Sequence, residues 1–375
     1  MTEIQRIVLT GGGTGGHIYP ALALYRRFIQ QYPKAQVLYI GTERGLESKI
    51  VPQEGIPFET IDIEGLRRSL SPKNLQVAFK MLTATHKAKK ILKDFKPDLV
   101  LGTGGFVCGP VLLGAAQLKI PTIIHEQNSV AGITNKFLAR FVDQIATCFE
   151  DVQTDFSKYA DKLALVGNPR GQEVMSTSSQ KDILSQQFDL QDSLPTVLVF
   201  GGSRGAPAIN AASLAALDSW QQADYQVIIA TGQSHYDALD PDQVAEINAS
   251  PNVRICPYIA NMPSVFQAIQ LVVCRAGATT LAELTALGLA SILIPSPYVT
   301  NNHQEHNAQA LVNQEAAMMI KEEDLTADRL YQVTDQLMND PDQLEEMSQK
   351  ARAMGRVDAC DHLIHLMQNL IAPTT

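Results

Sequence analysis

Residues 6–29 read RIVLTGGGTGGHIYPALALYRRFI, and this stretch decides the fold class. A short apolar run (6–10) is followed by a turn in which five of six residues are glycine. An apolar segment with helical spacing then extends from Ile18 to Ile29. A strand, a tight turn and a helix in this order are typical of a βαβ unit. The stretch therefore predicts an α/β domain built on a parallel sheet.

Short apolar runs recur along the chain, with helix-like segments between them. They are VLYIG (37–41), DLVLGTG (98–104), PTIIHE (121–126) and QIATC (144–148), then TVLVFGGS (196–203), YQVIIATG (225–232), VRICPYI (253–259), LVVCRAG (271–277) and ASILIPSP (290–297). This alternation predicts parallel βαβ units. Because the rhythm restarts after residue 190, we expect two doubly wound domains of the same class.

The sequence LALVGNPRG (163–171) separates the two series of strands and contains a Gly-Asn-Pro turn. Proline blocks continuation of a helix, so the chain can reverse or hinge there. We therefore predict one domain over residues 1–165 and a second over residues 166–355. The last segment, 356–375, contains an amphipathic helix that the residue pattern alone allows on either domain.

The composition is that of a soluble globular protein. Of 375 residues, 45% are hydrophobic and 18% are charged, which excludes disordered and fibrous proteins. The five cysteines are scattered without a C-x-x-C pair, which disfavours zinc binding and redox chemistry. No run of about 18 apolar residues occurs, so we expect neither a membrane span nor export.

The net charge of −9 is distributed unevenly along the chain. Residues 1–165 contain 20 lysines and arginines against 15 acids, so the acidic excess belongs to the second half. Within residues 67–96 nine basic residues face a single acid, Asp94. Such a segment favours an anionic surface or ligand.

Three glycine turns follow strands, at residues 11–16, 102–106 and 201–206. Their backbone amides could approach a phosphate, or the glycines could serve only close packing. Nicotinamide binding is disfavoured, because the acid expected on the second strand's end is replaced by Gly41-Thr42, with Glu43 only beyond them. Ligands of open α/β sheets bind outside the carboxyl ends of strands, so the turns together predict a cleft between the domains.

Polar clusters follow three further strands, at residues 125–128 (HEQN), 275–283 (RAGATTLAE) and 301–307 (NNHQEHN). The first cluster ends a strand with four hydrogen-bonding side chains, which favours a functional role. In the second, threonine could cap a helix, while Glu283 could either sit in its first turns or accept two ribose hydroxyls. The third contains two histidines without a third ligand at recognisable spacing, so we expect no metal site.

Several blocks together resemble one known family. They are GGGTGGHIYP (11–20), GTGGFVCGP (102–110), HEQNSVAG (125–132), VGNPR (166–170), FGGSRGA (200–206), CRAGATTLAEL (274–284) and NNHQEHNA (301–308). In this order they resemble the MurG family of bacterial N-acetylglucosaminyltransferases, in glycosyltransferase family 28. The resemblance implies a GT-B fold, with two Rossmann-like domains facing each other across a cleft and a final helix returning to the first domain.

The resemblance also implies the reaction: inverting transfer of GlcNAc from UDP-GlcNAc to the MurNAc 4-hydroxyl of lipid I, which gives lipid II. It implies no cofactor, no metal bound by a DxD motif and no nucleic-acid partner. The UDP-GlcNAc contacts implied by position are Thr14, Gly15, Gly16, Asn128, Arg170, Ser203, Ile259, Ala278, Thr279, Thr280, Leu281, Ala282, Glu283, Gln304 and Asn307. Among these, Ser203 corresponds to a diphosphate contact, Ile259 to a backbone contact with uracil, and Glu283 to the ribose contact.

Two side chains are candidates for the general base that takes the proton of the attacking hydroxyl. His17 follows the first glycine turn, and an ordinary imidazole pKa of about 6.5 suits proton transfer near neutral pH. The adjacent helix amino terminus disfavours the imidazolium and so keeps the base free. Glu126 is the alternative, and we favour His17.

The basic segment also predicts peripheral binding to the cytoplasmic face of an anionic membrane. Leu75, Phe79 and Leu82 recur with helical spacing, and Lys80 and Lys87 lie beside them. The alternative is an ordinary helix that packs this stripe into the first domain. Rival functions for the whole chain are a related GT-B enzyme, such as a UDP-GlcNAc epimerase, and a membrane-bound scaffold that binds sugar nucleotide without turnover.

Overall fold

The computed structural model describes residues 4–65, 73–178, 180–202 and 205–372, and for residues 73–78 it describes only the backbone. The chain divides into two compact units. Unit 1 comprises Met1–Gln172 and Arg356–Thr375, and unit 2 comprises Glu173–Gly355.

Among the described residues of unit 1, seven strands form one parallel sheet in the order β3-β2-β1-β4-β5-β6-β7. The strands are β1 (Arg6–Thr10), β2 (Gln36–Gly41), β3 (Phe58–Thr60), β4 (Leu99–Gly102), β5 (Thr122–Glu126), β6 (Gln144–Thr147) and β7 (Leu163–Leu165). The helices are α1 (Gly15–Gln31), α2 (Glu47–Gln53), α3 (Lys73–Phe95), α4 (Cys108–Gln117), α5 (Ile133–Leu138), a 3₁₀ helix (Asp151–Lys162) and α6 (Pro169–Met175), which continues into unit 2. This is the doubly wound arrangement that the alternating runs predict.

Unit 2 repeats the topology, and its described strands form a parallel sheet in the order β10-β9-β8-β11-β12-β13. They are β8 (Thr196–Phe200), β9 (Gln226–Ala230), β10 (Val253–Cys256), β11 (Leu271–Cys274), β12 (Ala290–Leu293) and β13 (Met318–Met319). The helices are α7 (Ile183–Phe188), α8 (Pro207–Ala215), α9 (Leu217–Trp220), α10 (Gln233–Tyr236), α11 (Pro241–Asn248), α12 (Met262–Phe266), α13 (Ala278–Leu287), α14 (His303–Val312), α15 (Ala327–Met338) and α16 (Pro341–Met354), with 3₁₀ turns at Thr300–Asn302 and Glu322–Asp324.

The sheet of unit 1 is buried on both faces, which explains why the centre of β1, Ile7 to Leu9, is continuously apolar. Successive strand residues point to opposite faces. Ile7 and Leu9 accordingly lie in the core beneath α1, whereas Val8 lies in the core beneath α3 and α4. A strand of alternating apolar and polar residues could not fill both layers.

The last helix, α17 (Ala359–Ile371), packs against α1 within unit 1. Its Leu363 is fully buried in the core beneath α1. Asp361 accepts two hydrogen bonds from the Arg27 guanidinium, at 2.8 and 2.9 Å. It also accepts from Gln31 Nε2 and Gln172 Nε2, both at 2.7 Å. Apolar burial and a four-donor carboxylate thus fasten this helix to unit 1.

The sequence pattern missed three short strands, β3, β7 and β13. They contain two or three residues each, at the edges of the sheets, and their residues are only partly buried or exposed. An edge strand has one neighbour and one solvent-facing side, so it needs no long apolar run. Periodicity alone therefore does not separate such strands from loops.

Candidate active site

The strand order of unit 1 places β1 beside β4, so the first two glycine turns leave the sheet at adjacent points. Thr103 N donates to Thr10 O at 2.8 Å, and Gly12 N donates to Gly104 O at 3.3 Å. Gly105 has a φ of +84°, and a Cβ there would lie 2.3 Å from Gly12 O. Glycine is therefore required for the two turns to pack together at this topological switch point.

His17 lies in the first turn of α1, at the same carboxyl edge of the sheet, and is partly exposed. Its Nδ1 lies 3.1 Å from Thr103 O and 3.2 Å from Gln127 Oε1. Its carbonyl oxygen accepts from Thr103 Oγ1 at 2.6 Å. A Cβ on Gly104 would lie 2.6 Å from His17 Nδ1, so the second glycine turn makes room for the ring. A backbone oxygen of Thr103 and the side-chain oxygen of Gln127 thus hold the Nδ1 side of the imidazole.

Glu126, the other predicted base, is almost fully buried, with 2% of its surface exposed. Its Oε1 accepts from the backbone N and the side-chain Nδ2 of Asn128, at 3.0 and 3.1 Å. Its Oε2 accepts from Gly132 N at 3.0 Å and from Asn135 Nδ2 at 2.8 Å. Four donors on one carboxylate organise the loop after β5, and this arrangement leaves little capacity for an incoming proton.

A residue that the sequence reasoning missed, Glu47, fixes the first glycine turn. Its carboxylate is fully buried and accepts from Gly13 N at 3.0 Å. It also accepts from Thr42 N at 3.0 Å and Thr42 Oγ1 at 2.6 Å. A Cβ on Gly12 would lie 2.5 Å from this carboxylate. The available signal was an acid at the first position of the short helix after β2.

The other predicted residues of unit 1 lie near these turns. Thr14 precedes α1 and is exposed, while Gly15 and Gly16 form its first residues. Arg170 lies in the first turn of α6, with its guanidinium carbon 5.9 Å from the ring centroid of Tyr19 on α1. Arg170 therefore contacts α1 at the exposed Tyr19, which follows His17 by two positions.

In unit 2, β8 and β11 are the neighbouring strands at the switch point, and a cavity of about 450 Å³ lies beside the turns that follow them. Its lining residues are Gly201, Gly205, Ala206, Pro207, Ala208, Arg275, Ser296, Tyr298, Gln304 and Glu322. The wall includes the amino terminus of α8, which begins at Pro207. Free backbone amides and the helix dipole make such an end suitable for an anion.

Arg275 and Glu322 form a largely buried ion pair on the wall of this cavity. The guanidinium Nη1 donates to Ile294 O and Pro295 O, both at 3.1 Å, while Nη2 pairs with Glu322. These bonds leave the guanidinium fixed rather than mobile. The sequence reasoning saw Arg275 only as part of a turn and did not connect it with Glu322, 47 positions later.

The unit 2 residues predicted to contact UDP-GlcNAc do not all line the cavity. Gln304 lines the cavity, and its Oε1 accepts from Ser296 N at 2.9 Å. Asn307 is fully buried, and its Nδ2 donates to Ala276 O at 3.2 Å, which supports the turn after β11. Ile259 follows β10, with its side chain buried. Ser203 lies outside the described residues.

The run from Ala278 to Glu283 forms the first half of α13. Its residues are Ala278, Thr279, Thr280, Leu281, Ala282 and Glu283. Gly277, rather than a threonine, is the residue that precedes the helix. The reading of threonine as a cap was therefore wrong, while Glu283 is buried within the second turn.

The predicted membrane helix is α3, and its described residues give a mixed outcome. Phe79 and Leu82 are 67% and 70% exposed, so the alternative in which both pack into the core is wrong for these two residues. The helix packs instead through Ala84 and Ala88, which are buried. The side chain of Leu75 lies outside the described residues.

The lysines of α3 differ in their surroundings. Lys87 is exposed. Lys80 Nζ, however, lies 3.2 Å from Asp62 Oδ1 and 2.6 Å from Glu64 Oε1. The expectation of an almost purely basic surface needs correction here, because these two acids precede the basic segment in sequence but pair with it in space.

In the ranges that the structure describes, no three His, Cys, Asp or Glu side chains form a group that could hold a metal ion. Nor does any helix in those ranges have the length and apolarity needed to cross a bilayer.

Known proteins resemble this chain in sequence and in fold. The chain matches the models "Glycosyltransferase family 28 N-terminal domain" over residues 7–147 and "Glycosyltransferase family 28 C-terminal domain" over residues 196–363. A Listeria monocytogenes protein is 50% identical over 367 residues, covering 98% of this chain and 100% of that protein. The chain belongs to glycosyltransferase family 28.

The Listeria relative is named "UDP-N-acetylglucosamine--N-acetylmuramyl-(pentapeptide) pyrophosphoryl-undecaprenol N-acetylglucosamine transferase". A Limosilactobacillus reuteri relative of the same name is 51% identical over 369 residues, covering 98% of this chain and 99% of the relative. The crystal structure of Acinetobacter baumannii MurG matches with a TM-score of 0.77 and 30% identity, covering 97% of this chain and 99% of that one. The predicted membership in the MurG family is therefore confirmed, and so is the GT-B fold.

A UDP-N-acetylglucosamine 2-epimerase crystal structure also matches this family 28 chain, with a TM-score of 0.66. Its identity is 16%, and the match covers 98% of this chain and 96% of the epimerase. At this identity the likeness shows only that the fold is shared.

Proposed function

We propose that this chain transfers GlcNAc from UDP-GlcNAc to the MurNAc 4-hydroxyl of undecaprenyl-pyrophosphoryl-MurNAc-pentapeptide (lipid I), which forms lipid II in peptidoglycan synthesis. The names of the relatives, at about half identity over nearly the whole chain, support these substrates. The geometric observation that carries the proposal is the partly exposed imidazole of His17, held at the carboxyl edge of the unit 1 sheet.

Unit 2 is proposed to hold the donor. The cavity beside Gly201, Arg275 and Gln304 offers a helix amino terminus and an amide, next to a guanidinium that is paired with Glu322. These groups suit a diphosphate and the hydroxyls of a sugar. Glu283, buried in the second turn of α13, is the proposed acceptor of the ribose hydroxyls. Backbone amides then stabilise the charge that develops on UDP as it leaves.

His17 is proposed as the general base. The acceptor oxygen forms a bond to the anomeric carbon as the bond from that carbon to the UDP oxygen breaks, and the hydroxyl proton passes to the imidazole. Attack from the face opposite to UDP inverts the anomeric centre. Glu126 fits this role less well, because four donors already occupy its two oxygens. Its proposed role is to hold Asn128 and the loop after β5.

A transfer assay tests the function directly. Labelled UDP-GlcNAc is incubated with the protein, with and without a lipid I analogue, and both UDP and the labelled lipid are measured. We expect UDP release that depends on the acceptor and equals the label recovered in lipid. UDP release or epimerised sugar without acceptor would favour an epimerase, and binding without turnover would favour a scaffold.

Peripheral binding to the anionic cytoplasmic membrane is proposed for the same protein. The exposed Phe79 and Leu82 would enter the lipid interface, while Lys87 would remain near the lipid headgroups. Such a helix combines apolar burial with attraction to anionic lipid, and the attraction weakens with salt.

Flotation with vesicles tests this surface. The double variant Phe79→Ser/Leu82→Ser is compared with the control Thr83→Ser, at an exposed polar position on the same helix. We expect the double variant to lose binding to phosphatidylglycerol vesicles and the control to retain it. Lys87→Gln should weaken binding by about 1 kcal/mol at low salt. Equal flotation of all four proteins would refute the proposal.

A further inference from the structure

The buried amide of Gln127 connects two histidines of unit 1. Its Nε2 lies 2.6 Å from Thr103 O and 2.9 Å from His125 Nδ1. Its Oε1 lies 3.2 Å from His17 Nδ1. Sequence reasoning noted the HEQN cluster but assigned no role to this glutamine.

The orientation of this amide follows from its strongest contact. A carbonyl oxygen can only accept a hydrogen bond. The amide atom 2.6 Å from Thr103 O must therefore be the NH₂ group of Gln127, because an oxygen there would be repelled. The NH₂ group also lies 2.9 Å from His125 Nδ1 and 3.2 Å from His125 O, and the shorter contact directs its second hydrogen to Nδ1. Gln127 Oε1 remains as an acceptor.

The protonation of His125 agrees with this orientation. Its Nε2 lies 2.9 Å from Gly167 O, another obligate acceptor, so Nε2 carries the hydrogen and Nδ1 does not. Burial lowers the pKa of His125 to about 4, so the ring is neutral near pH 7. The chain of contacts from Gly167 to Gln127 therefore has one consistent assignment of hydrogens.

His17 Nδ1 likewise faces two acceptors, Thr103 O and Gln127 Oε1. We propose that Gln127 is a positioning residue that holds His17 in the tautomer with hydrogen on Nδ1 and the free electron pair on Nε2. This inference rests on the proposed function, in which that electron pair takes the acceptor proton. Once Nε2 has taken the proton, the hydrogen bonds from Nδ1–H to the two oxygens stabilise the positive charge on the imidazolium.

Nitrogen-15 NMR of histidine-labelled protein tests the tautomer without any substrate. His17→Gln identifies the two ring signals of His17. In the parent we expect a pyrrole-type Nδ1 and a pyridine-type Nε2 at high pH. The reverse pattern would overturn the inference even if GlcNAc transfer occurs. The expected pattern in a protein without transferase activity would instead contradict only the proposed function.

Gln127→Leu removes one of the two acceptors that hold Nδ1–H. We expect the His17 signals to move toward an average of the two tautomers. We also expect kcat to fall about 10-fold to 100-fold, less than the loss of a general base would cause, with little change in the KM for UDP-GlcNAc. The matched control is Gln226→Leu, at another buried glutamine, which hydrogen-bonds to Thr196 and Gln191 in unit 2. The control should leave the His17 signals unchanged.

Gln127→Glu keeps the heavy-atom shape and adds a carboxylate beside His17, but the oxygen that replaces Nε2 loses its hydrogen bonds to Thr103 O and His125 Nδ1, which lowers stability. An adjacent negative charge favours the protonated imidazole. The acid limb of the kcat profile should therefore move to higher pH, with activity recovered there. The ionisable groups packed around this network include His125 and Glu126 on β5, Cys148 after β6, Cys108 on α4, Glu47 on α2 and Tyr39 on β2, whose pKa is raised by burial. Burial raises the pKa of both thiols, so they remain neutral in this range.

The two substitutions also distinguish a positioning role of Gln127 from a packing defect. A packing defect would lower kcat at every pH and would not move the acid limb. If Gln127→Leu fails to fold, the nitrogen-15 spectrum of the parent and the pH dependence of kcat in Gln127→Glu still test the inference. Parental kcat, pH profile and His17 signals in both variants would show that Gln127 does not position His17.

Discussion

The six described strands of unit 2 follow the same order as the first six of the seven in unit 1, but the units differ in what lies at the carboxyl edge of their sheets. In unit 1 the turns after β1 and β4 are joined by direct contacts, and Glu47 and Gln127 fill the space around them. In unit 2 the corresponding turns border a cavity of about 450 Å³. The turns of unit 1 thus pack against each other and against buried side chains, whereas the turns of unit 2 border a ligand-sized space.

The largest expected effect comes from removing the proposed base in unit 1. His17→Ala should lower kcat about 10²-fold to 10⁴-fold, because a positioned base contributes that much to proton transfer. The affinity for UDP-GlcNAc, measured by isothermal titration, should stay near the parental value. His365→Ala, at an exposed histidine of α17, is the control. Near-parental turnover in His17→Ala together with a large loss in Glu126→Ala would transfer the role to the glutamate.

Glu47→Gln tests whether the crevice of unit 1 is held by its buried carboxylate. One oxygen becomes an NH₂ group that faces the amide or hydroxyl donors of Gly13 and Thr42. Stranding such groups should lower the free energy of unfolding by about 3 kcal/mol. Urea unfolding measures this loss. Glu54→Gln, which breaks a partly exposed pair with Arg26, should cost less than about 1 kcal/mol. Equal losses in both variants would contradict the proposed role.

Glu283→Ala makes the complementary change in unit 2. Loss of the ribose partner should weaken UDP-GlcNAc binding by roughly 1 to 3 kcal/mol. The His17 ring signals should not change, because the residue lies in the other unit. Isothermal titration compares it with Glu246→Ala, at an exposed position on α11. Unaltered donor affinity in the Glu283 variant would refute its assignment.

The smallest effect concerns the fastening of α17 to unit 1. Hydrogen bonds from Arg27 lower the pKa of Asp361 below its ordinary value of 3.8. The carboxylate therefore adds stability above about pH 4, and this contribution disappears as pH falls through the lowered pKa. Because the pair is more than one-third exposed, Asp361→Asn should cost no more than about 1 kcal/mol at pH 7. Urea unfolding at pH 7 and below pH 3 should show the difference shrinking, and a constant difference would contradict the ion-pair explanation.

Much of the fold could be predicted from the sequence because the central strands are buried on both faces. Such strands are short, continuous and apolar, as in β1 and β8, and glycine turns mark their ends. The edge strands β3 and β13 lack that signal. The left-handed Asn301 and Asn302 before α14 were likewise visible only as a cluster of amides.

The candidate site was predictable where a motif is local in sequence and not where partners are distant. His17 follows its glycine turn directly, so it could be named. The contact between Glu47 and Gly13 spans 34 positions, and the pair of Arg275 and Glu322 spans 47. No periodic pattern in the sequence indicates contacts at these separations, because the order of the strands in the sheet brings the residues together.

The return of α17 to unit 1 has a consequence for synthesis on the ribosome. Leu363, Ile364 and Met367 complete the core beneath α1, yet they are translated after all of unit 2. Unit 2 is one uninterrupted stretch and can form its contacts as soon as it emerges, whereas unit 1 waits with an open apolar groove. A nascent chain stalled before residue 359 would therefore carry a complete second unit and a first unit that lacks part of its core.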